Sequence, residues 1–533
     1  DLDFSSVQRS NPEMQRRAQQ VLDRLNSRST KSPISFIHDV GAGGISNAIP
    51  ELAKDTNLGV RIDLANIDCH DSTMSPMEMW CNESQERYVF SIPKKKLPAL
   101  QHICNLERCP FSVAGVLTDE RKIHVEFEGK VIVDLYLDDL FGEIPLPELI
   151  GSNSDRSLPL ETLPHDDLLK HLHNVLRFPA VASKKFLITI GDRTVSGLVF
   201  RDQFIGNKQV PVSDYAATLD QLDTYSGQVF SIGEKPSIAI SNPEASTRMA
   251  MAEAITNVCG VVHDSIEKLT FSANWMSSTK SSDEKGDLVR GVESVVNLSE
   301  DLGVSIPVGK DSLSMKTRWQ DDSEKEVTSP MTLNISVFSN VMDLRESVTP
   351  ELSNDETTLL HLWINENDFR MGGSCLYQSY GLYGGETPDL EKPKQLKRLF
   401  NSTQKLLKQH KICALHDISD GGLITSLLEM SLCSGQGLSI NLNLSDKSKI
   451  IPKLFSEEIG LVVEVPNKHL KGVKDYYQEK DIYCEEIAKK SAEKTFKLIN
   501  FNEEIFSVDI NTLFKSWDSM SHQVQSERDS KTC

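Results

Sequence analysis

Three sets of residues in this chain have the types and spacing for chemistry. In Arg248–Asn257 (RMAMAEAITN) an acid and an amide, Glu253 and Asn257, stand four residues apart, so a helix puts both on one face. A carboxylate and an amide oxygen on successive turns suit a hard cation once a second carboxylate approaches, because such ions take oxygen ligands. Asp214, which closes Val210–Asp214 (VPVSD), read as a strand ending in Ser-Asp, is the candidate for that second carboxylate, with Ser213 beside it. Alone, Glu253 and Asn257 also fit a plain surface pair. The second set is a repeat: His38–Leu52 (HDVGAGGISNAIPEL) returns without a gap as His416–Met430 (HDISDGGLITSLLEM). His, Asp, the Gly-Gly pair and a Glu keep their offsets, which marks two versions of one module. The third set is Ile306–Ser312 (IPVGKDS), read as a strand followed by Gly-Lys-Asp-Ser. It has the composition of a phosphate loop but lacks the first glycine of GxxxxGKS/T, so it is not a Walker A motif. Ser272–Met276 (SANWM) and Ile190–Arg193 (IGDR) add polar groups on an apolar background.

The elements that must position these residues can be read from the flanks. Apolar runs Ile34–Ile37 and Ile412–Leu415 precede the two repeats and read as buried strands. After the glycines, Leu423, Leu427, Leu428 and Met430 recur at helical spacing. Each copy is therefore strand, Gly-rich loop, helix, which aims backbone N–H groups and a helix N-terminus at one point and favours an anion there. An Asp in such a loop suits a Mg²⁺ bridge to phosphate. A turn that needs glycine for positive φ, with His and Asp as caps, accounts for the same residues. The repeat continues: Asn82–Phe90 and Ser456–Val463 each lead into a strand. The second module reaches back to about Thr357 and includes Arg370–Ser374 (RMGGS), which has no counterpart before His38. With Asp1 as first residue, the chain reads as an internal fragment of a longer polypeptide, whose first module exposes an unpaired strand edge.

Composition sets the outer bounds. A length of 533 residues implies several domains. A Pro-rich polar connector spans Pro145–Pro164, and a middle domain runs from about Leu168 to Asp343. Its strand-like runs are Phe186–Ile190, Ile238–Ile240 and Met331–Phe338; its helical ones are Thr247–Val258 and Leu288–Asp301. A polar turn near Ser347–Thr357 leads to a third domain ending about Leu513, and Lys515–Cys533 reads as polar linker. A net charge of −20 argues against sequence-independent nucleic-acid binding. No apolar run approaches the length of a membrane span. The ten cysteines include no CxxC pair, and Cys104 and Cys109 lack the companions of a zinc site. They read as reduced thiols of a cytoplasmic protein.

With these residues in view, the chain resembles the synthetase region of large-type phosphoribosylformylglycinamidine synthase, in the aminoimidazole ribonucleotide synthetase-like superfamily. The resemblance lies in FIHDVGAGGISNAIPEL, MSPMEMWCNESQERY, ERCPFSVAGV, LRFPAVASKKFLITIGDRTVSGLVFRDQ, QVPVSDYA, AEAITN, SANWM, IPVGKDSLSMKT and HDISDGGL, which span almost the whole chain. It implies an α/β (α+β) fold of tandem N- and C-terminal domains, part of a pseudo-dimer of two halves. On that plan, residues 1–150 are the C-terminal domain of half one without its front and 151–167 a connector. Residues 168–345 are then the N-terminal domain of half two, 356–513 its C-terminal domain, and 514–533 a linker toward a glutaminase domain absent here.

The reaction implied is ATP-dependent conversion of formylglycinamide ribonucleotide and ammonia to the amidine, with ADP and phosphate released and ammonia supplied by that glutaminase. ATP or ADP and Mg²⁺ are the implied cofactors. By motif, Asp214, Glu253, Asn257 and Asp417 match metal ligands of an auxiliary nucleotide site, and Ser213 and Ser419 match nucleotide contacts. Lys310 is the candidate phosphate contact. Asp39 takes the place of Asp417 in a first-half site, where Gly41 replaces Ser419 and Ala42 replaces Asp420. His38 is a candidate catalytic or substrate contact, with a structural role equally open, and the catalytic residue is otherwise unassigned. The alternative is a truncated, non-catalytic nucleotide-binding fragment of the same family.

Overall fold

The computed structural model describes residues 12–27, 32–69, 71–84, 86–143, 148, 150–154, 156–191, 193–194, 197–366 and 369–529. Gln85, Asp192, residues 144–147, 149 and 155 of the connector region, and Cys533 lie outside the described residues. The chain forms two compact units, Asp1–Glu148 and Leu149–Cys533.

The first unit has strands β1 (Phe36–Asp39), β2 (Gly59–Asp63), β3 (Tyr88–Ser91), β4 (Gly115–Thr118), β5 (Lys122–Phe127) and β6 (Lys130–Tyr136). β1 pairs antiparallel with β3, and the others form a sheet in the order β4-β2-β5-β6. Its helices are α1 (Pro12–Ser27), α2 (Ile45–Thr56) and α3 (Leu97–Glu107). Ile45, Ala48, Ile49 and Ala53 form one stripe of α2 and pack with Val60, Ile62, Ile123 and Val125, the 3.6-residue period of a half-buried helix. α1 packs on α3 through Val21 and Leu25 against Leu100, Ile103 and Cys104.

The second unit opens with α4 (Leu168–Arg177) and the short α5 (Lys185–Ile188), then strands β7 (Val199–Arg201), β8 (Ala216–Leu219), β9 (Gly227–Gly233), β10 (Thr270–Met276), β11 (Ser305–Ser312), β12 (Lys316–Gln320), β13 (Glu324–Thr328) and β14 (Thr332–Val341). Six of these make a sheet ordered β11-β10-β14-β9-β8-β7, while β12 and β13 form a separate hairpin. Helix α6 (Pro243–Asn257) lies between β9 and β14 on one side and α7 (Ser282–Leu302) on the other. Its run of small residues, including Ala250, Ala252 and Ala254, is buried and lets neighbouring backbones come close. A Cβ on Gly233 would stand 2.1 Å from the Ala250 carbonyl.

The remainder carries β15 (Thr357–Trp363), β16 (Ala414–Asp417), β17 (Gly437–Leu442), β18 (Gly460–Pro466), β19 (Tyr483–Ser491), β20 (Thr495–Asn500) and β21 (Glu503–Asp509). They form one sheet ordered β16-β18-β15-β19-β17-β20-β21. Helices α8 (Pro393–Lys408), α9 (Gly422–Ser434), α10 (Leu470–Gln478), α11 (Ile510–Trp517) and α12 (Ser519–Arg528) complete it.

The duplicated sequence is duplicated structure. β1, its glycine loop and α2 correspond to β16, its loop and α9. β2 pairs with β4 and β5 as β17 pairs with β19 and β20, antiparallel to the first and parallel to the second in both cases. Fully buried β15 joins β18 to β19 in the second copy. Among the described residues of the first unit no strand joins β3 to β4, so its strands remain two sheets, with Tyr88 and Val116 exposed on them.

The second loop glycine is required twice over. Gly44 has φ +66° and Gly422 φ +73°. A Cβ would stand 2.1 Å from the Asn82 carbonyl oxygen in the first copy and 2.7 Å from Phe455 and Ser456 backbone atoms in the second.

Several sequence expectations are corrected here. Residues 186–190 are not a strand, since Lys185–Ile188 form one helical turn, and Ile238–Ile240 form a 3-10 turn. Val210–Asp214 is not a strand either: Val210 makes a single bridge to Ile205. β11 runs through Gly309, Lys310 and Asp311 to Ser312, so these residues lie on a strand and not in a loop. The polar end from Lys515 is helical to Arg528 and packed. Leu513 and Trp517 are buried, the Trp517 indole donates to the Val181 carbonyl at 2.9 Å, and Ser521 Oγ donates to the Ser183 carbonyl at 2.7 Å.

Gly422→Ala should lower stability by at least about 2 kcal/mol, through left-handed strain and overpacking. Gly472→Ala, in α10 with nothing within 4 Å of the added Cβ, should raise it by about 0.5–1 kcal/mol. Scanning calorimetry of both variants reads the opposite signs; equal shifts would remove the packing explanation for the glycine pair.

Candidate functional site

Strand β16 ends on His416 and Asp417, and the loop beyond it supplies Ser419, Asp420 and Gly421 before α9 begins. Asp214 reaches the same place from the segment before β8. His416 Nδ1 lies 2.6 Å from Asp214 Oδ1, and Nε2 lies 2.9 Å from Glu429 Oε2 on α9. Both ring nitrogens thus meet carboxylates. Burial opposes the charged form of His416, yet Asp214 and Glu429 hold its pKa well above the ordinary range. Burial likewise raises Asp214, with the His416 imidazolium acting against the rise.

Asp417 is different. Its side chain is 6% exposed, and its Oδ2 is buried with no hydrogen-bond partner. Burial, then the nearby Asp214 charge, push its pKa far up. One ligand atom from each of Asp214, His416 and Asp417 falls within 4.8 Å of the others. A carboxylate oxygen without a donor is costly in a protein interior, and a hard cation would satisfy it. The donor set, two carboxylates with one orphaned oxygen, therefore fits Mg²⁺, whereas His416, engaged at both nitrogens, does not offer a free ligand.

A second group adjoins the first. Cys375, Asp420 and Glu457 also bring ligand atoms within 4.8 Å of one another, but here the protein supplies its own cation. Lys235, 3% exposed, places Nζ 2.6 Å from Asp420 Oδ1, 3.2 Å from Ser419 Oγ, 3.4 Å from Glu253 Oε1 and 3.8 Å from Glu457 Oε2. Burial works against its charge, but Asp420, Glu253 and Glu457 more than reverse this and raise its pKa well above normal. Glu457 is lifted by burial to about 7 and accepts the N–H groups of Gly421, at 2.9 Å, and Cys375, at 2.8 Å. In the first copy Glu83 accepts the Gly43 N–H at 3.3 Å. Both glycine loops thus receive a protein carboxylate where the sequence suggested an anion.

The residues singled out by sequence are distributed as follows. Glu253 Oε2 accepts the Glu234 N–H at 2.8 Å, and its Oε1 accepts the Ser419 hydroxyl. Asn257, one turn on, donates to the Ile232 carbonyl at 2.9 Å. Ser213 donates its hydroxyl to the Tyr215 carbonyl at 2.7 Å. Lys310 is exposed on β11, donates to Ser312 Oγ at 2.8 Å and lies across from Asn274. In the first unit, His38 bonds Glu51 through Nε2 at 2.7 Å and contacts the Asp39 carbonyl through Nδ1 at 2.9 Å. Glu51 and Glu429 occupy the same position of the repeat, so strand-end His to helix Glu is a shared structural bond. Asp39 lies 3.8 Å from His38 Nδ1, as Asp417 lies 3.6 Å from His416 Nδ1, but its side chain is 76% exposed where that of Asp417 is 6%.

Sequence reasoning missed Lys235, which sits in no repeat and has no partner at helical spacing. Glu457 had a signal in its alignment with Glu83. Lys184, held by the Ala180 and Ala182 carbonyls, is a further half-buried ammonium, whose pKa burial lowers and the charges of Glu429 and Asp420 partly restore.

Comparison with known proteins agrees with this architecture. Residues 183–340 match the FGAR-AT PurM_N-like domain model, and residues 1–128 and 363–499 match the model for the AIR synthase related protein, C-terminal domain. PurLQS from Thermotoga maritima is similar at TM-score 0.62 and 15% identity, covering 91% of this chain and 68% of that chain. T. maritima PurL complexed with ATP is similar at TM-score 0.55 and 15% identity, covering 86% of this chain and 64% of that one. T. maritima PurL complexed with ADP gives TM-score 0.57 at 16% identity, with 86% and 64% covered. The chain thus spans about two-thirds of these relatives, and at such identities the likeness is one of fold.

The orphaned oxygen generates a two-sided prediction. Asp417→Asn should stabilise the fold in chelator by about 1–3 kcal/mol, seen as a higher melting temperature, because a neutral amide replaces a carboxyl whose charged form burial and Asp214 both oppose. It should also abolish stabilisation by added Mg²⁺. Thermal melts with EDTA and with Mg²⁺ test both arms; an undiminished Mg²⁺ shift in the variant would exclude Asp417 as a ligand.

Proposed function

Because the chain belongs to the AIR synthase related family, with an FGAR-AT PurM_N-like domain between two C-terminal domains of that family, we propose that it is the synthetase part of an ATP-dependent phosphoribosylformylglycinamidine synthase. The substrate is formylglycinamide ribonucleotide, and ammonia comes from a glutaminase. The observation that carries this reading is the buried Asp214–His416–Asp417 group, with its orphaned oxygen, beside a helix-capping glycine loop. The fold likeness to T. maritima PurL complexed with ATP and with ADP supports a nucleotide there.

In this reading Asp214, Glu253, Asn257 and Asp417 hold Mg²⁺. Ser213 and Ser419 contact the nucleotide, and Lys310 contacts phosphate. When bound, Mg²⁺ neutralises phosphate charge, which fixes a nucleotide or eases phosphoryl transfer. His416 does not titrate in this scheme: clamped between Asp214 and Glu429, it fixes the Asp214 carboxylate in direction. Its positive charge also lowers the cost of bringing Asp214 and Asp417 together. Asp39 marks the corresponding position in the first unit.

One observation favours a second reading, a nucleotide held as a structural group. The site is far more buried than its first-unit counterpart, as a permanent cofactor site would be.

Mass spectrometry of small molecules released on denaturation tests the nucleotide. About one ADP or ATP per chain, lost after dialysis with EDTA, is the expected result. Nucleotide-free protein that also fails to bind added ADP with Mg²⁺ would overturn the proposal. Ammonia-dependent formation of ADP with formylglycinamide ribonucleotide separates the catalytic from the structural reading.

A further inference from the structure

The two adjoining acidic groups differ in how their charge is met. The Asp214–His416–Asp417 group keeps a buried oxygen without a partner. The Cys375–Asp420–Glu457 group is closed by the Lys235 ammonium, which also faces Glu253 and Ser419. Lys235 is held from behind, since its carbonyl accepts the Ser246 hydroxyl at 2.6 Å. It reaches the site from the segment between β9 and α6, while Asp420 and Glu457 lie on the loop and strand approach of the repeated module. The first unit shows the module with a different arrangement: Ala42 replaces Asp420, and Glu83 accepts the glycine-loop N–H.

We propose that the Lys235 ammonium stands in for a second divalent cation, so that the site admits such an ion only at its Asp214–Asp417 end. The ammonium lies 2.6 Å from Asp420 Oδ1, 3.2 Å from Ser419 Oγ, 3.4 Å from Glu253 Oε1 and 3.8 Å from Glu457 Oε2, among oxygens that a divalent ion in its place would draw in to its shorter ligand distances. It differs in being covalently fixed and singly charged. Two consequences follow. The loop carrying Ser419 and Asp420 is organised whether or not metal is present, because its cation cannot leave. Glu253 is shared, with Oε1 turned to Lys235 and Ser419, so Lys235 is a positioning residue for one of the carboxylates of the divalent site.

The inference rests on the divalent-cation reading of Asp214 and Asp417 only for the first ion counted. The experiment is Mn²⁺ binding to the full chain, followed by the electron paramagnetic resonance signal of free ion, for wild type, Lys235→Met and the double variant Lys235→Met/Glu457→Gln. One site is expected in wild type, two in Lys235→Met, and one again in the double variant, which loses a ligand of the new site. If wild type binds none but Lys235→Met binds one, the inference holds and the cation at Asp214–Asp417 is wrong. A folded Lys235→Met with no added site overturns it. Removing the ammonium leaves three acids unbalanced, so the variant could unfold in chelator; recovery of the fold with millimolar Mn²⁺ then supports the inference. Failure to recover overturns it, because an ion that replaces the ammonium must also restore the fold.

Discussion

Buried negative charge is the constraint around which the second unit is organised. Asp214, Asp417 and Glu457 lie out of solvent, with Glu253 mostly buried and Asp420 at the edge, and His416 and Lys235 are cations set directly among them. Isolated carboxylates in a protein interior cost several kcal/mol each unless they are paired. The pairing here is made across elements distant in sequence: Asp214 to His416, Glu253 to Ser419, Lys235 to Asp420. Bringing those partners together requires the middle domain and the repeated module to pack as one body. That packing is the shared core of α6, β10, β14, α8 and β18. One carboxylate oxygen, on Asp417, is left over, and it is the place where the protein's own cations run out.

The two copies of the module show which parts of the motif serve the fold and which serve the site. Both keep the strand-end His bonded to a helix Glu, the second glycine pressed on the approaching backbone, and a carboxylate on the loop N–H groups. These three features recur wherever the loop is built, so they belong to folding. Burial of the Asp after the His, and an acid two residues before the second glycine, occur only in the second copy. These are what an ion-binding role adds, and they divide the repeat into a scaffold and an elaboration.

The repeat was legible because its signals are local: gapless spacing, glycines at fixed offsets, helical periodicity after them. Glu253 and Asn257 on one helix face were legible for the same reason. What was not legible depended on tertiary partners. Phe186–Ile190 is apolar and β-branched enough to read as a strand, yet its first residues form a helical turn held near Trp517 and Ser521. The end of the chain is polar on average, so the buried face made by Leu513, Trp517 and Ser521 was averaged away. Gly309–Ser312 looks like a loop by composition, but parallel pairing with β10 keeps it extended.

Lys235 is the most instructive omission. A lysine in Gly-Glu-Lys-Pro-Ser has every appearance of a surface residue, and the type is among the least often buried. Its burial is explained only by the acids that surround it, which come from α6, the glycine loop and the approach to β18. A flexible side chain with a compact charge can reach into such a group where a planar guanidinium needs a matched fork. The reverse also holds: without that ammonium, the glycine loop of the second copy could not carry Asp420 next to Glu457. The first copy has alanine there and needs no lysine. The acid in the loop and the lysine from another domain are therefore one feature, and neither is interpretable from its own stretch of sequence.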